Sequence, residues 1–122
     1  MNRVELIGNL GRAVEIKQLS SGKVVGRTLL AIDRVGKREG TDWVRLVLWD
    51  KTATNAARYL AKGSKVGVSG HINSEFYERR PKDGGDGPAD VRLSTEVIVD
   101  QIEYLSPPPN PSSASPDAKG AR

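Results

Sequence analysis

The sequence of 122 residues contains no cysteine, few aromatic residues (two Trp, three Tyr and one Phe) and no long apolar run. The absence of cysteine excludes disulfides, thiolate nucleophiles and cysteine-based metal sites, and it fits a reducing compartment. The apolar runs are far shorter than the roughly 20 residues that a membrane-spanning helix needs. The first residues, MNRVELIGNL, have strand character and lack the apolar region of a secretory signal. We therefore expect an intracellular protein with no membrane partner.

Side chains that typically form enzyme active sites are also scarce. His71 is the single histidine, and it has no cysteine or second histidine with which to share a metal ion. The phosphate-binding motif GxxxxGK[ST] and the nucleophile motif GxSxG do not occur. Asp83, Asp86 and Asp90 lack the terminal glutamate of a calcium-binding loop. We predict that the protein is not an enzyme and uses neither a cofactor nor a metal ion.

The net charge of +4 is modest, but it is unevenly distributed along the chain. Residues 1–82 contain 16 Lys and Arg against 8 Asp and Glu, whereas residues 83–122 contain 3 against 7. The excess of positive charge therefore falls on the first two thirds of the chain, as in proteins that bind polyanions. A basic surface that is merely solvated explains the charge alone equally well.

The composition changes at Ser106. Residues 106–122, SPPPNPSSASPDAKGAR, contain five of the seven prolines and no large apolar residue. Such a segment cannot bury enough surface to offset the entropy lost on ordering. We predict one domain over residues 1–105, followed by a disordered tail over residues 106–122.

Within the domain, alternation of apolar and polar residues predicts five strands. They are expected from Val4 to Leu10, closing at Gly11, and over Lys23–Asp33, Thr41–Trp49, Ser64–Asn73 and Thr95–Leu105. The second of these strands is apolar on both faces, so we expect one face in the core and the other against a neighbouring element or a partner subunit. Residues 35–40, VGKREG, predict a charged hairpin loop.

One segment, Thr52–Leu60, has helical rather than strand periodicity. Thr52 is expected to cap the helix N-terminus, and Gly63 to end the helix in a left-handed conformation. Three strands, one helix and two strands follow the order of a five-stranded oligonucleotide-binding (OB) barrel, with its helix between strands three and four. The predicted fold class is therefore all-β, with one short helix.

The third predicted strand, Thr41–Trp49, separates two kinds of side chain. Along it the aliphatic residues alternate with a second set that contains both tryptophans, namely Trp43, Arg45, Val47 and Trp49. The aliphatic set can fill a barrel interior, which leaves the second set for the outer face. An aromatic ring stacks on any nucleobase with roughly 1–3 kcal/mol, and a guanidinium pairs with phosphate. The alternative is that Trp43 or Trp49 packs beneath the helix or against another subunit.

The connection from Ser74 to Leu93 combines aromatic with basic residues before it becomes rich in Gly, Pro and Asp. The residues concerned are Phe76, Tyr77, Arg79, Arg80 and Lys82. Such side chains on a mobile arm suit the wrapping of a flexible single strand. A plain hairpin extension with solvated charges is the alternative.

Four blocks of the sequence resemble the bacterial and organellar single-stranded DNA-binding protein family. They cover about residues 1–105 and comprise MNRVELIGNLGR, SGKVV followed by LLAIDR, TDWVRLVLWDKTATNAARYLAKGSKVGVSG, and STEVIVDQIEYL. The resemblance implies a homotetramer that wraps single-stranded DNA and protects it during replication, recombination and repair. It also implies a location at the nucleoid in the cytoplasm, or in an organelle matrix or stroma.

The resemblance further implies roles for individual residues. Trp43 matches the family's stacking tryptophan, Arg45 the basic contact that follows it, and Trp49 a second aromatic. Tyr77 matches the aromatic of the long loop, with Phe76 beside it. Further basic contacts are expected, by the resemblance or by position on the arm, at Arg3, Lys51, Lys62, Arg79 and Arg80.

The chain departs from the family at two places. Where the family usually has an aromatic residue after the second strand, this chain has Asp33, Arg34 and Val35, so one stacking platform is missing and Arg34 is expected to compensate by its charge. The family's tail typically ends in an acidic, hydrophobic tip that recruits replication and repair proteins. The sequence here reads DAKGAR at that place, which argues against recruitment by this route.

The main hypothesis is therefore sequence-tolerant binding of single-stranded DNA by a homotetramer. The first alternative is a specialised paralogue, such as a primosome component or an RNA-binding protein. The second is an interaction module that uses the barrel only for contacts with other proteins.

Overall fold

The computed structural model of the chain describes residues 1–36, 39–79 and 90–106. These described residues form six strands and one helix, in the order β1 (Val4–Leu10), β2 (Glu15–Gln18), β3 (Val24–Asp33), β4 (Thr41–Trp49), α1 (Asp50–Tyr59), β5 (Lys65–Arg79) and β6 (Asp90–Tyr104). The prediction of an all-β fold with one short helix after the strand Thr41–Trp49 is confirmed. In the described ranges no helix is long and apolar enough to cross a membrane.

The strands form one sheet that closes on itself. Its order is β1-β5-β6-β4-β3-β2, and an additional pairing of β1 with β3 completes a ring of five strands. The ring contains one parallel pair, β4 with β6, held at only two positions, Leu46 opposite Val97 and Val47 opposite Ile98. In chain order the strands of the ring are β1, β3, β4, β5 and β6, and α1 lies between the third and fourth of these, β4 and β5. A closed five-stranded ring with one helix at this place is the OB fold.

Strand β2, which is additional to the five strands of the ring, was not predicted. It pairs with the first residues of β3, Val24 to Arg27, while β1 pairs along the same edge farther on, at Leu30 and Ala31. Thus β1 and β2 together flank one edge of β3. All four residues of β2 are exposed, so the segment lacks the apolar alternation by which a strand is recognised in a sequence.

The interior of the barrel is filled by aliphatic side chains of alternate strand residues. Leu30, Leu46, Leu48 and Val66 are fully or almost fully buried, and Ala53 and Ala56 of α1 close one end of the barrel. Full burial of a Val or Leu side chain contributes roughly 1.5–3 kcal/mol. This core fixes the position of the outer face of β3 and β4, because both strands contribute to it.

The predicted cap at Thr52 and the predicted end at Gly63 are wrong, although the helix does end beside the predicted Leu60, which is its C-cap residue. The helix begins at Asp50 directly after β4, and its N-cap residue is Trp49, which makes no side-chain capping hydrogen bond; Thr52 lies inside the helix. The side chain of Asp50 accepts a hydrogen bond from the Val24 N–H at 3.1 Å, which ties the start of the helix to β3. Gly63 does adopt a left-handed conformation (φ 93°), but in the turn after the helix, where its N–H bonds to Leu10 O at 2.8 Å.

The prediction of a connection from Ser74 to Leu93 is wrong at both of its ends. Strand β5 continues to Arg79, β6 begins at Asp90, and the two pair along their whole length. Beyond the barrel both faces of this hairpin are largely exposed, so no apolar alternation marked it as strand. Residues 74–79 and 90–93 therefore form a hairpin extension of the barrel, whereas the role of its side chains in binding a strand stays a prediction. Arg80, Lys82 and the predicted tail beyond Ser106 lie outside the described residues.

Candidate nucleic-acid interface

The outer face of β3 and β4 is built from four directly opposed residue pairs. Because strand residues alternate between the two sides of a sheet, these pairs lie on the side opposite the barrel core. They are Trp43 with Ala31, Arg45 with Leu29, Val47 with Arg27, and Trp49 with Val25. The structure thus brings both tryptophans and Arg45 to one surface, which we call the tryptophan face.

The two tryptophans differ in how far they are open to solvent. Trp43 is 59% exposed and Trp49, at the junction with α1, is 37% exposed. They are six residue steps apart along the strand, which corresponds to about 20 Å. Val47 lies between them on the same side, but it is only 2% exposed. The tryptophan face therefore has two separate aromatic platforms with the buried Val47 between them.

A groove runs beside Trp43 where β4 diverges from β6. It has a volume of about 580 Å³, and its walls include Leu29, Trp43, Arg45, Ile72, Thr95 and Val97. The Arg45 guanidinium extends across the gap and donates a hydrogen bond to Ser94 Oγ at 3.3 Å. Among the described residues Arg45 has no acidic partner, so its positive charge is available to an anion.

The hairpin of β5 and β6 beyond the barrel, residues 73–79 and 90–96, is called the arm. Along it Tyr77 and Phe76 point to opposite sides. Tyr77 lies two residues from Glu75, which is opposite Ser94, and it therefore shares a side with Arg45. Phe76 is opposite Leu93 on the other side and is the more exposed of the two aromatics, at 74% against 48%. The structure brings Tyr77, but not Phe76, to the side of the tryptophan face.

The predicted basic residues are in different environments. Arg34 is paired with Asp42, with Nε 3.1 Å from the carboxylate, so much of its charge is compensated. Arg3 lies 3.9 Å from Glu5 and lines a separate groove on the outer side of β1, β5 and β6. Neither side chain is a free cation on the tryptophan face.

The other predicted cations are exposed. Lys51 is in the first turn of α1, and Lys62 is in the turn whose Gly63 bonds to Leu10 at the end of β1. Arg79 lies on the Tyr77 side of the arm opposite Asp90. That carboxylate instead bonds to Arg92 Nε at 2.8 Å, and this hydrogen bond raises the pKa of Arg92. Arg79 therefore has no ion-pair partner among the described residues.

Sequence reasoning missed Arg27. Its side chain is exposed between the two tryptophans, opposite Val47. Glu15, opposite it on β2, is paired with Arg12 instead, at 3.5 Å, and Arg27 forms no ion pair within the described part of the chain. Alternation along Lys23–Asp33 assigns Arg27 to one side of its strand, but only the register with β4 shows that this side is the tryptophan face. Lys17 of β2 joins the same side opposite Val25.

The comparison with known proteins agrees with this geometry. The model of the single-strand binding protein family matches residues 1–105. The chain belongs to this family. It is 41% identical over 106 residues to the Single-stranded DNA-binding protein 1 of Nostoc sp. (strain PCC 7120), covering 86% of this chain and 83% of the relative. It is 36% identical over 117 residues to the Single-stranded DNA-binding protein B of Bacillus subtilis (strain 168), covering 93% and 97%.

Membership of the single-strand binding protein family agrees with the OB barrel described above, which spans the matched residues. In the ranges that the structure describes, no group of three or more His, Asp or Glu residues is arranged to hold a metal ion.

Proposed function

We propose that this chain binds single-stranded DNA with little regard to sequence and, by coating it, protects it during replication, recombination and repair. Binding is the whole of its activity in this proposal, without a catalytic step. The observation that carries the proposal is the open indole of Trp43 beside the guanidinium of Arg45, which has no acidic partner among the described residues. The names of the relatives support the same ligand.

The chemistry of the tryptophan face explains why sequence should matter little. Every nucleobase offers a flat π surface, so stacking on Trp43, Trp49 and Tyr77 does not depend on base identity. Arg45, Arg27 and Arg79 would bind phosphates, which are the same at every nucleotide. Glu75 and Glu96 line the cleft beside Tyr77, and of these two carboxylates only Glu96 also lines the groove beside Trp43, so we expect the nucleic acid to follow Trp43 and Arg45 more closely than the arm.

The test is a titration of intrinsic tryptophan fluorescence with oligo(dT) at several salt concentrations. Replacement of Trp43 by Ala should weaken binding by roughly 1–3 kcal/mol while the thermal unfolding transition is retained. Tyr59→Ala is the matched control, since Tyr59 is an exposed aromatic residue on α1, away from the tryptophan face. Equal losses in the two variants, or none in Trp43→Ala, would contradict the proposal.

The same titration separates the alternatives. A preference for oligo(U) over oligo(dT) of equal length would favour the RNA-binding paralogue. An absence of quenching by either oligonucleotide would favour a protein-interaction module, for which the exposed apolar side of the arm around Phe76 and Leu93 is the candidate surface. Loss of affinity with rising salt is the expected signature of phosphate contacts.

We further propose that the chain assembles into a homotetramer, starting from the outer side of β1. Ile7 is 61% exposed there, and the groove beside it is lined by Gly67 and Leu105. Strand β1 pairs with β3 at Asn9 and Leu10, and within the described ranges the rest of this backbone edge of β1 has no strand partner. Its location would be wherever single strands arise, at the nucleoid of the cytoplasm or in an organelle.

Analytical ultracentrifugation tests this assembly. Ile7→Lys should lower the molecular mass measured by sedimentation, because burial of the lysine charge would destabilise the interface between subunits. Val35→Lys, at an exposed residue between β3 and β4, should leave the mass unchanged. An unaltered mass for Ile7→Lys would exclude β1 as the contact. The expectation that this chain does not recruit other proteins through its tail stays a prediction, because residues 107–122 lie outside the described structure.

A further inference from the structure

The indole of Trp43 crosses over β3 and ends against Gly11. Strand β3 separates β4, which carries Trp43, from the end of β1, and the Gly11 N–H bonds to Leu29 O at 2.8 Å on the far edge of β3. A Cβ built on Gly11 would overlap the ring of Trp43 at Cζ3. The ring therefore extends across the neighbouring strand instead of standing out from the sheet.

The distances also give the orientation of the ring. Cη2 and Cε3, the two neighbours of Cζ3, lie at nearly equal distances of 3.3 and 3.4 Å from the built Cβ. Both are markedly farther from the built Cβ than Cζ3 is. This pattern is expected when the Cβ lies in the plane of the ring beyond its edge, and it is not expected when the Cβ lies above the ring face. Gly11 thus meets the edge of the indole, and neither π face of Trp43 is in contact with it.

The requirement for glycine at this position is one of space. Gly11 does not have a positive φ, unlike Gly22, Gly36, Gly40 and Gly63, so a left-handed backbone conformation is not the reason for glycine here. Across β3, the residue directly opposite Trp43 is Ala31, which is also small. Together, Gly11 and Ala31 leave room for the indole along the surface of the sheet.

We propose that Gly11 is a positioning residue for Trp43: by having no side chain, it allows the indole to lie across β3 with its π surface open to a base. A methyl group at residue 11 forces the ring to another rotamer and removes the platform, although Trp43 itself is unchanged. This inference rests on the proposed stacking role of Trp43.

The experiment uses the full chain with Trp49→Phe, so that Trp43 is the only fluorophore of its kind. Without DNA, Gly11→Ala should shift the Trp43 emission maximum and change its quenching by acrylamide. With oligo(dT), it should weaken binding by roughly 5- to 150-fold, the equivalent of one stacked base. In a Trp43→Ala chain that retains Trp49 as the fluorophore, the same methyl group should cause no further loss, because the ring it would displace is absent.

The outcomes separate positioning from stacking. Unchanged Trp43 emission and quenching in Gly11→Ala would overturn the positioning role, as would an equal loss of affinity in the Trp43→Ala background. Changed emission together with unchanged affinity would instead contradict stacking on Trp43. If Gly11→Ala does not fold, the double variant Gly11→Ala/Trp43→Ala decides: recovery of folding supports the contact, and continued failure contradicts it.

Discussion

The tryptophan face and the arm both expose aromatic and basic side chains, but only the tryptophan face is backed by a core. Behind Trp43 and Arg45 lie the buried Leu46 and Leu48, whose packing fixes β4. The arm is a single layer of two paired strands, and Phe76 and Tyr77 are exposed on its opposite sides. A rigid face can present stacking platforms without an ordering cost on binding, whereas an arm without a core adapts to its ligand and loses conformational entropy when it does so.

Substitutions of leucine should show the largest difference between the two regions. Leu30→Ala, in the core beneath the tryptophan face, should lower the free energy of unfolding by about 2–5 kcal/mol, because it leaves a cavity. Leu93→Ala, on the exposed apolar side of the arm, should change it by no more than about 0.5 kcal/mol. Urea unfolding measures both. A large loss for Leu93→Ala would mean that the arm is covered, for instance by another subunit.

The second expected difference concerns the two aromatics of the arm. Tyr77→Ala should weaken oligo(dT) binding by about 1 kcal/mol, at the low end of the stacking range, because ordering of the arm offsets part of the gain. Phe76→Ala should have a smaller effect although Phe76 is the more exposed, since it faces away from Arg45. Fluorescence titration of both variants ranks them. The reverse order would place the DNA on the other side of the arm.

Much of the tryptophan face was predictable from the sequence, since alternation along Thr41–Trp49 separates a core side from an aromatic side. A residue's place on a strand depends on its immediate neighbours, which the sequence contains. The pairing of Arg27 with Val47 and the contact of Trp43 with Gly11 depend on register across strands. Register is determined by turns and by the packing of the whole barrel, so neither contact could be derived from one strand.

The arm was mispredicted for a related physical reason. Apolar alternation reveals a strand only where one side is buried, and neither side of the arm is. Its strands are held instead by backbone pairing and by contacts such as the hydrogen bond between the hydroxyls of Ser74 and Thr95 at 2.8 Å. The same limitation concealed β2, whose residues are all exposed.

The smallest expected effect concerns Arg27, at the centre of the tryptophan face. Arg27→Gln keeps the aliphatic stem next to Val47 and removes only the charge, so the unfolding transition should be preserved. The slope of log K against log salt for oligo(dT) binding should become shallower by about 0.7, the value for one phosphate contact on a single strand. Arg58→Gln, on α1 beside Tyr59, is the control and should leave the slope unchanged. If the slope is the same for Arg27→Gln as for the unmodified chain, the DNA passes the two tryptophans without contacting the guanidinium between them. The rigid face would then act through its rings and Arg45 alone.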